Sequence, residues 1–192
     1  PIKLPGEKLE NLQNIYFNRV SLGDGVIESL SVIAPKLETI SIVHGTNPLN
    51  TPGKTLALHK GSFPELKKLY LTHLHSMSGQ NLKNLLNASP KLTEISICNC
   101  EKFLDPLTLD KESLPYLRKI QLRENKNFST INFGSILSAA SELEELLLHD
   151  TNFSEFDHLQ RIIPSKLRVI SVQNCKMSSA TLSGVLRESP DL

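Results

Sequence analysis

The residues of this chain able to do chemistry are few, and their spacing decides what they can do. His149, Asp150 and Ser171 supply the residue types of a hydrolase triad, in which an imidazole takes a proton from a hydroxyl while a carboxylate holds the ring in place. His149 and Asp150 are neighbours in sequence, however, and neighbouring side chains of a strand point apart, while an open sheet offers neither an oxyanion hole nor a water-excluding cleft. His44, His73 and His75 are close enough in sequence to converge on a metal ion, yet no carboxylate ligand accompanies them, and solvated loop histidines are the commoner case. Cys98 and Cys100 lack a second cysteine pair or a histidine at zinc-finger spacing. Gly23-Asp24-Gly25 reads as turn chemistry, and no Gly-rich phosphate loop is present. No catalytic residue, metal site or cofactor is expected. Recognition chemistry is better supplied: Tyr16, Tyr70 and Arg123 are the rigid or multiply bonding types on which protein interfaces concentrate energy.

The elements that must position these residues share one phrase, seen most clearly in PKLTEISICNC, Pro90 to Cys100. Leu92, Ile95 and Ile97 are apolar and Cys100 is small, and in a strand of period two Ile95 and Ile97 point to one side while Glu94, Ser96 and Cys98 point to the other. A short strand cannot bury such a face alone and needs a neighbour with the same pattern stacked in a parallel sheet. Leading leucines recur at Leu12, Leu37, Leu66, Leu92, Leu117, Leu143, Leu167 and Leu192, spaced by 24 to 29 residues, and seven are followed by an alternating apolar pair such as Ile40 and Ile42 or Leu146 and Leu148. Pro35, Pro64, Pro90, Pro115 and Pro190 lie two residues before a leading leucine, where they stop the preceding segment. Between strands, Gly25 to Ile33, Gly79 to Asn87, Phe133 to Ala140, Phe156 to Ile163 and Ser178 to Arg187 carry helical patterning, whereas Phe103 to Ser113, interrupted by Pro106, predicts only a turn. Gly45 to Lys54, with two prolines and two glycines, predicts a longer loop at the rim.

Alternation then places the candidate residues in rows. The outward side chains run Asn14, Thr39, Lys68, Glu94, Lys119, Glu145, Val169 in one row, with its middle four predicted to form a charge ladder. Tyr16, Ser41, Tyr70, Ser96, Gln121, Leu147 and Ser171 make a second row, and Asn18, Val43, Thr72, Cys98, Arg123, His149 and Gln173 a third. Arg19, His44, His73, Asn99, Glu124, Asp150 and Asn174 stand at the strand ends and change sign along their length. The expected partner-binding residues are Tyr16, His44, Tyr70, His73, Arg123, His149 and Asp150. The ninth position of each unit (Val20, Gly45, Leu74, Cys100, Asn125, Thr151, Cys175) turns inward, where Asn, Thr or Cys can satisfy loop backbone groups. Cys100 and Cys175 are therefore expected to be buried and Cys98 to lie on the outward face.

Composition narrows the partners. With 21 basic and 20 acidic residues the net charge is +1, too little to draw nucleic acid or an anionic membrane surface. No apolar run reaches the roughly 18 residues of a membrane span, and PIKLPGEKLEN lacks the apolar centre of a secretory signal. Three cysteines, an odd number at low density, argue for a reducing compartment, cytoplasmic or nuclear. The glycosylation-type triplets at Asn87, Asn127 and Asn152 are what a chain rich in Asn, Ser and Thr produces by chance.

The strand phrase, the Cys or Asn at position nine, the spacing and the closing S-P-x-L or A-P-x-L resemble the cysteine-containing and ribonuclease-inhibitor-like classes of leucine-rich repeat, with LRVISVQNCKMSSATLSGVLRESPDL, residues 167 to 192, the best match. The resemblance implies an α/β fold: a leucine-rich repeat solenoid, a curved horseshoe with a parallel sheet on its concave face and helices and turns on its convex face. It would form one array of about seven repeats over residues 1–192. A chain that starts at Pro1 and stops at the first residue of an eighth strand is expected to be a piece of a longer protein. The class occurs in F-box substrate receptors of ubiquitin ligases, and similar repeats occur in effectors that intracellular bacteria deliver into host cells. The resemblance thus implies a non-enzymatic scaffold binding a partner protein, with no nucleic acid, membrane or small-molecule substrate, in the cytoplasm or nucleus, or in the host cytosol for an effector. Residues 1–192 depart from the F-box receptors in one respect: Leu4-Pro5 is followed by the first repeat rather than by a separate helical domain. The alternatives are a structural spacer with no partner and a histidine-metal enzyme.

Overall fold

Strands form where the period-two pattern falls, and each is five residues long: β1 (Asn14–Asn18), β2 (Thr39–Val43), β3 (Lys68–Thr72), β4 (Glu94–Cys98), β5 (Lys119–Arg123), β6 (Glu145–His149) and β7 (Val169–Gln173). The computed structural model describes residues 7–22, 25–44, 55–74, 77–100, 102–125, 127–151 and 164–175, with Ser183 and Arg187. The strands make one parallel sheet in chain order, β1-β2-β3-β4-β5-β6-β7. Register never slips: Ile15 pairs with Ile40, Ile40 with Leu69, Leu69 with Ile95, Ile95 with Ile120, Ile120 with Leu146 and Leu146 with Ile170. A slip of one residue would turn every apolar side chain to water, so the pattern itself enforces the register.

Each strand is entered and left by the same device. The N–H of Leu12, Leu37, Leu66, Leu92, Leu117, Leu143 and Leu167 donates to the carbonyl three residues earlier, closing a tight turn ahead of the strand. Pro35, Pro64, Pro90 and Pro115 occupy the second position of that turn, where a fixed φ fits and an N–H is not needed. The prolines thus shape the entry to the strand as well as ending what precedes it. On leaving, the residue after each strand turns left-handed, with φ of 49–55° at Arg19, His44, His73, Asn99, Glu124, Asp150 and Asn174. That twist lets the N–H of the first six of these bond to the carbonyl closing the next strand, as Asn99 does to Arg123 at 2.7 Å.

Among the described residues three helices, α1 (Val26–Ile33), α2 (Gly79–Asn87) and α3 (Thr130–Ala139), pack with the apolar strand face in a single core. Helix α1 buries Val26, Ile27, Leu30 and Ile33, α2 buries Leu82, Leu85 and Leu86, and α3 buries Phe133, Ile136 and Leu137. Helix α3 begins at Thr130 rather than Phe133 because the Ser129 hydroxyl accepts from the Asn132 N–H, as Ser78 does for Asn81 in α2. The 103–113 segment is an extended strap, as its proline required. Its Leu107 N–H donates to Asn132 Oδ1 at 2.9 Å and its Leu109 N–H to Ser135 Oγ at 2.6 Å, both on α3. A second strap does the same: the Leu56 N–H donates to Asn81 Oδ1 and the Leu56 carbonyl accepts from Asn84, both on α2. Asp105 accepts from the N–H groups of Gly79 and Gln80 at the start of α2, and Gly79 must be glycine because a Cβ there would lie 2.5 Å from the Asp105 carbonyl.

At position nine, Asn125 is fully buried, its Oδ1 accepting from the Cys100 N–H at 2.9 Å and its Nδ2 donating to the Ile97 carbonyl at 2.6 Å. Thr151 and Cys100 are buried too. Cys175, expected to be buried, is only half-buried, because it follows β7, which has β6 alone as its pairing partner among the described strands. The expected helix Phe156 to Ile163, the loop Gly45 to Lys54, and Gly23, Asp24, His75, Pro190 and Leu192 lie outside the described residues, as does the helix Ser178 to Arg187 apart from Ser183 and Arg187. Among the described residues no helix is long and apolar enough to cross a membrane.

Candidate functional site

The face of the sheet opposite the helices carries every residue expected to bind. It is built from four rows, three from the outward side chains of the strands and one from the left-handed residues that follow them. The first row is held by charge: Lys68 Nζ lies 3.9 Å from the Glu94 carboxylate, and Lys119 Nζ 3.0 Å from that of Glu145. The Glu145 hydrogen bond raises the Lys119 pKa above its ordinary value. Such half-exposed pairs contribute little to stability, and their main effect is to fix which side chains stand upright.

In the second row Tyr16 is 66% exposed, while Ser41, in register between Tyr16 and Tyr70, is buried. Ser96, beside Tyr70 on the other side, is buried as well. Small side chains set between larger register neighbours lose their exposure, as Thr39 does between Asn14 and Lys68. Tyr70 is half-buried, and desolvation, reinforced by the Glu94 carboxylate, pushes its phenol pKa up to about 12. Tyr16 and Tyr70 thus form an aromatic step over β1–β3.

The strand-end row shows the most specific geometry. The rings of His44 and His73 stack with centroids 4.0 Å apart and planes 6° from parallel. The Asn99 amide donates to His73 Nδ1 at 2.9 Å, which leaves the ring proton on Nε2. In-plane lone pairs of stacked rings lie in parallel planes and do not converge on one ion, and among the described residues no group of three His, Cys, Asp or Glu side chains is placed to hold a metal. Further along, Arg123 Nε lies 3.2 Å from Glu124, and Asn174 donates to Asp150 Oδ1 at 3.0 Å.

His149 and Ser171 do meet, with Nε2 and Oγ 3.1 Å apart, but Asp150 sits at the left-handed position and takes its hydrogen bond from Asn174. The pair lies on an open sheet face. Arg123 and His149 are register partners on β5 and β6, so the seven expected residues fall into two groups: Tyr16, His44, Tyr70 and His73 over β1–β3, and Arg123, His149 and Asp150 over β5 and β6. Asn99 and Asn174 were not among them, although each fixes a member of the set. The signal available was positional: both are the eighth residue of their unit, the same place as His44, His73 and Asp150.

Cys98 stands on the outward side of β4, half-exposed, with Sγ 3.4 Å from the Ser96 hydroxyl. Cys100 is buried, and burial pushes its thiol pKa up to about 12, which removes it as a nucleophile. No protein-family model matches this chain, and no curated protein matches it.

Proposed function

We propose that this chain is a leucine-rich repeat solenoid of the ribonuclease-inhibitor-like class, curved with the sheet on its concave face, which acts by binding a partner protein across that face rather than by chemistry. The observation that carries the reading is the contrast between the rows. The inward rows hold only Ile, Leu, Val and Phe, as packing demands, whereas the outward rows mix charged, aromatic, small polar and apolar types and present exposed Tyr16, half-buried Tyr70, exposed Arg123 and the His44–His73 stack. Varied side chains on a regular sheet suit recognition, with little conformational entropy left to lose on binding. The recognition arm of a ubiquitin ligase receptor and a bacterial effector are the two settings the repeat class suggests, and three free cysteines favour a reducing compartment, cytoplasmic or nuclear, for either.

A photoreactive phenylalanine analogue placed at Tyr70 and, separately, at Val32, exposed on α1, tests this reading in cell lysate. A defined protein should cross-link at position 70 and not at 32. With that partner in hand, Tyr70→Ala should weaken binding about thirtyfold, the roughly 2 kcal/mol of a hot-spot tyrosine, and lower stability by less than about 1 kcal/mol. Cross-linking at 32 alone would put the binding surface on the helices.

A further inference from the structure

The open face has an electrical direction. Across β1–β3 and the residue following each, the charged groups are Arg19 and Lys68, both basic, joined by His44 and His73. Across β4–β7 the acids Glu94, Glu124, Glu145 and Asp150 outnumber the bases Lys119 and Arg123, which are joined by His149. The interior of this pattern cancels itself. Lys68 pairs with Glu94, Lys119 with Glu145 and Arg123 with Glu124. Arg19 at one end and Asp150 at the other have no ion pair among the described residues, and the only partner seen for the Asp150 carboxylate, Asn174, is a neutral amide that leaves its charge uncancelled. Both stand in the left-handed row, at φ 54° and 52°. That conformation is shared by all seven residues that follow a strand and belongs to the backbone ladder, so it sets where these two side chains stand and not which they are.

The basic end is also shaped. His44 and His73 stand side by side between Arg19 and β4, and Asn99 fixes the His73 ring so that Nε2 carries a hydrogen to donate. The Arg19 guanidinium and the His73 Nε2–H are the donors that this basic end offers a carboxylate. Strands about 4.8 Å apart put Asp150 on the order of 19 Å from the middle of this basic end, the span of about six extended residues.

We propose that the open face binds its partner in one direction: an extended acidic-to-basic segment of a protein crosses the strands with its carboxylate over Arg19, His44 and His73 and its ammonium or guanidinium over Asp150. This deepens the binding reading above and rests on it. The interior ion pairs give the middle of the segment no charge to choose, so direction is set at the two ends.

The probe is a synthetic peptide with two glutamates at one end, two lysines at the other and about five neutral residues between, carrying a nitroxide at either end. It is titrated to millimolar concentration into the isotope-labelled 192-residue chain at low salt. A nitroxide on the glutamate end should broaden the amide signals of His44 and His73, and one on the lysine end those of Asp150 and Asn174. Asp150→Asn should weaken the peptide about fivefold, the worth of one exposed ion pair, and the double exchange Arg19→Glu with Asp150→Lys should invert the broadening pattern. Equal broadening from both ends overturns the direction while leaving the open face a binding surface. Broadening confined to α1–α3 overturns the choice of face as well. Absence of broadening anywhere overturns the direction alone, since the cross-linking result at Tyr70 decides the face independently.

Discussion

Ile97 and Ser96 are neighbours on β4, both buried, and the reasons for their burial are opposite. Ile97 sits in a row where every register partner is large and apolar, Leu71 on one side and Leu122 on the other, and the helices close over it. Ser96 sits between Tyr70 and Gln121, on the side away from the helices, with Cys98 Sγ 3.4 Å from its hydroxyl. One face is filled by a rule that applies at every strand. On the other face each neighbour is different, and burial there is local. The difference separates what the chain spends on folding from what it leaves for recognition, and it can be broken experimentally.

The largest effect should come from the ruled face. Ile97→Ala removes a fully buried branched side chain from a row that cannot close around the gap, and should cost about 3 to 4 kcal/mol by denaturant unfolding. Ser96→Ala, one residue away, should cost less than about 1 kcal/mol. Similar costs for the two would erase the distinction between faces. Next comes the seam where the sheet turns into its returns. Asn125→Ala strands the Cys100 N–H and the Ile97 carbonyl in the core, and each unmet group costs about 1 to 3 kcal/mol. A loss of at least about 2 kcal/mol is expected by the same unfolding measurement, and a neutral result would mean that the backbone finds other partners.

The smallest effect sharpens the picture of the open face. A spectrophotometric titration should show one tyrosine ionising late, near pH 12, and Tyr70→Phe should remove that step. Because the folded-state pKa is raised above the ordinary 10, the group's contribution to stability is complete below pH 10 and is lost as pH rises through about 12. Persistence of the late step in Tyr70→Phe would mean that Tyr70 stands clear of its neighbours.

Much of this was legible in the residues because period and register are one-dimensional information. The alternation of Ile95, Ser96 and Ile97 placed the strands, and the leucine spacing placed the rows, so Tyr16, Tyr70, Arg123 and His149 fell at the strand positions expected of them. What was not legible is lateral. That Asn99 would bridge to His73, or that Asn81 and Asn132 would reach into the straps at Leu56 and Leu107, depends on which backbone groups of a neighbouring unit are left unpaired. No window of one strand contains that. The start of α3 was missed for a simpler reason: Ile131 is 68% exposed, so the first turn carries no inward apolar residue for periodicity to register, although Ser129 announced the cap. Cys175 was misjudged because position nine buries its residue only where a further strand covers it.

The seven left-handed residues at the strand ends carry a stereochemical consequence. Their φ near +50° is the mirror image of ordinary helical geometry, so a D-amino acid would rest there without the crowding an L side chain suffers. Inverting the α-carbon also moves the side chain off the row while leaving the N–H that extends the ladder where it was. A chain assembled by chemical ligation with D-alanine at Arg19 or at Asp150 would therefore keep the sheet, relax its backbone and lose one recognition group, separating what the handedness of a residue gives the fold from what its side chain gives the surface.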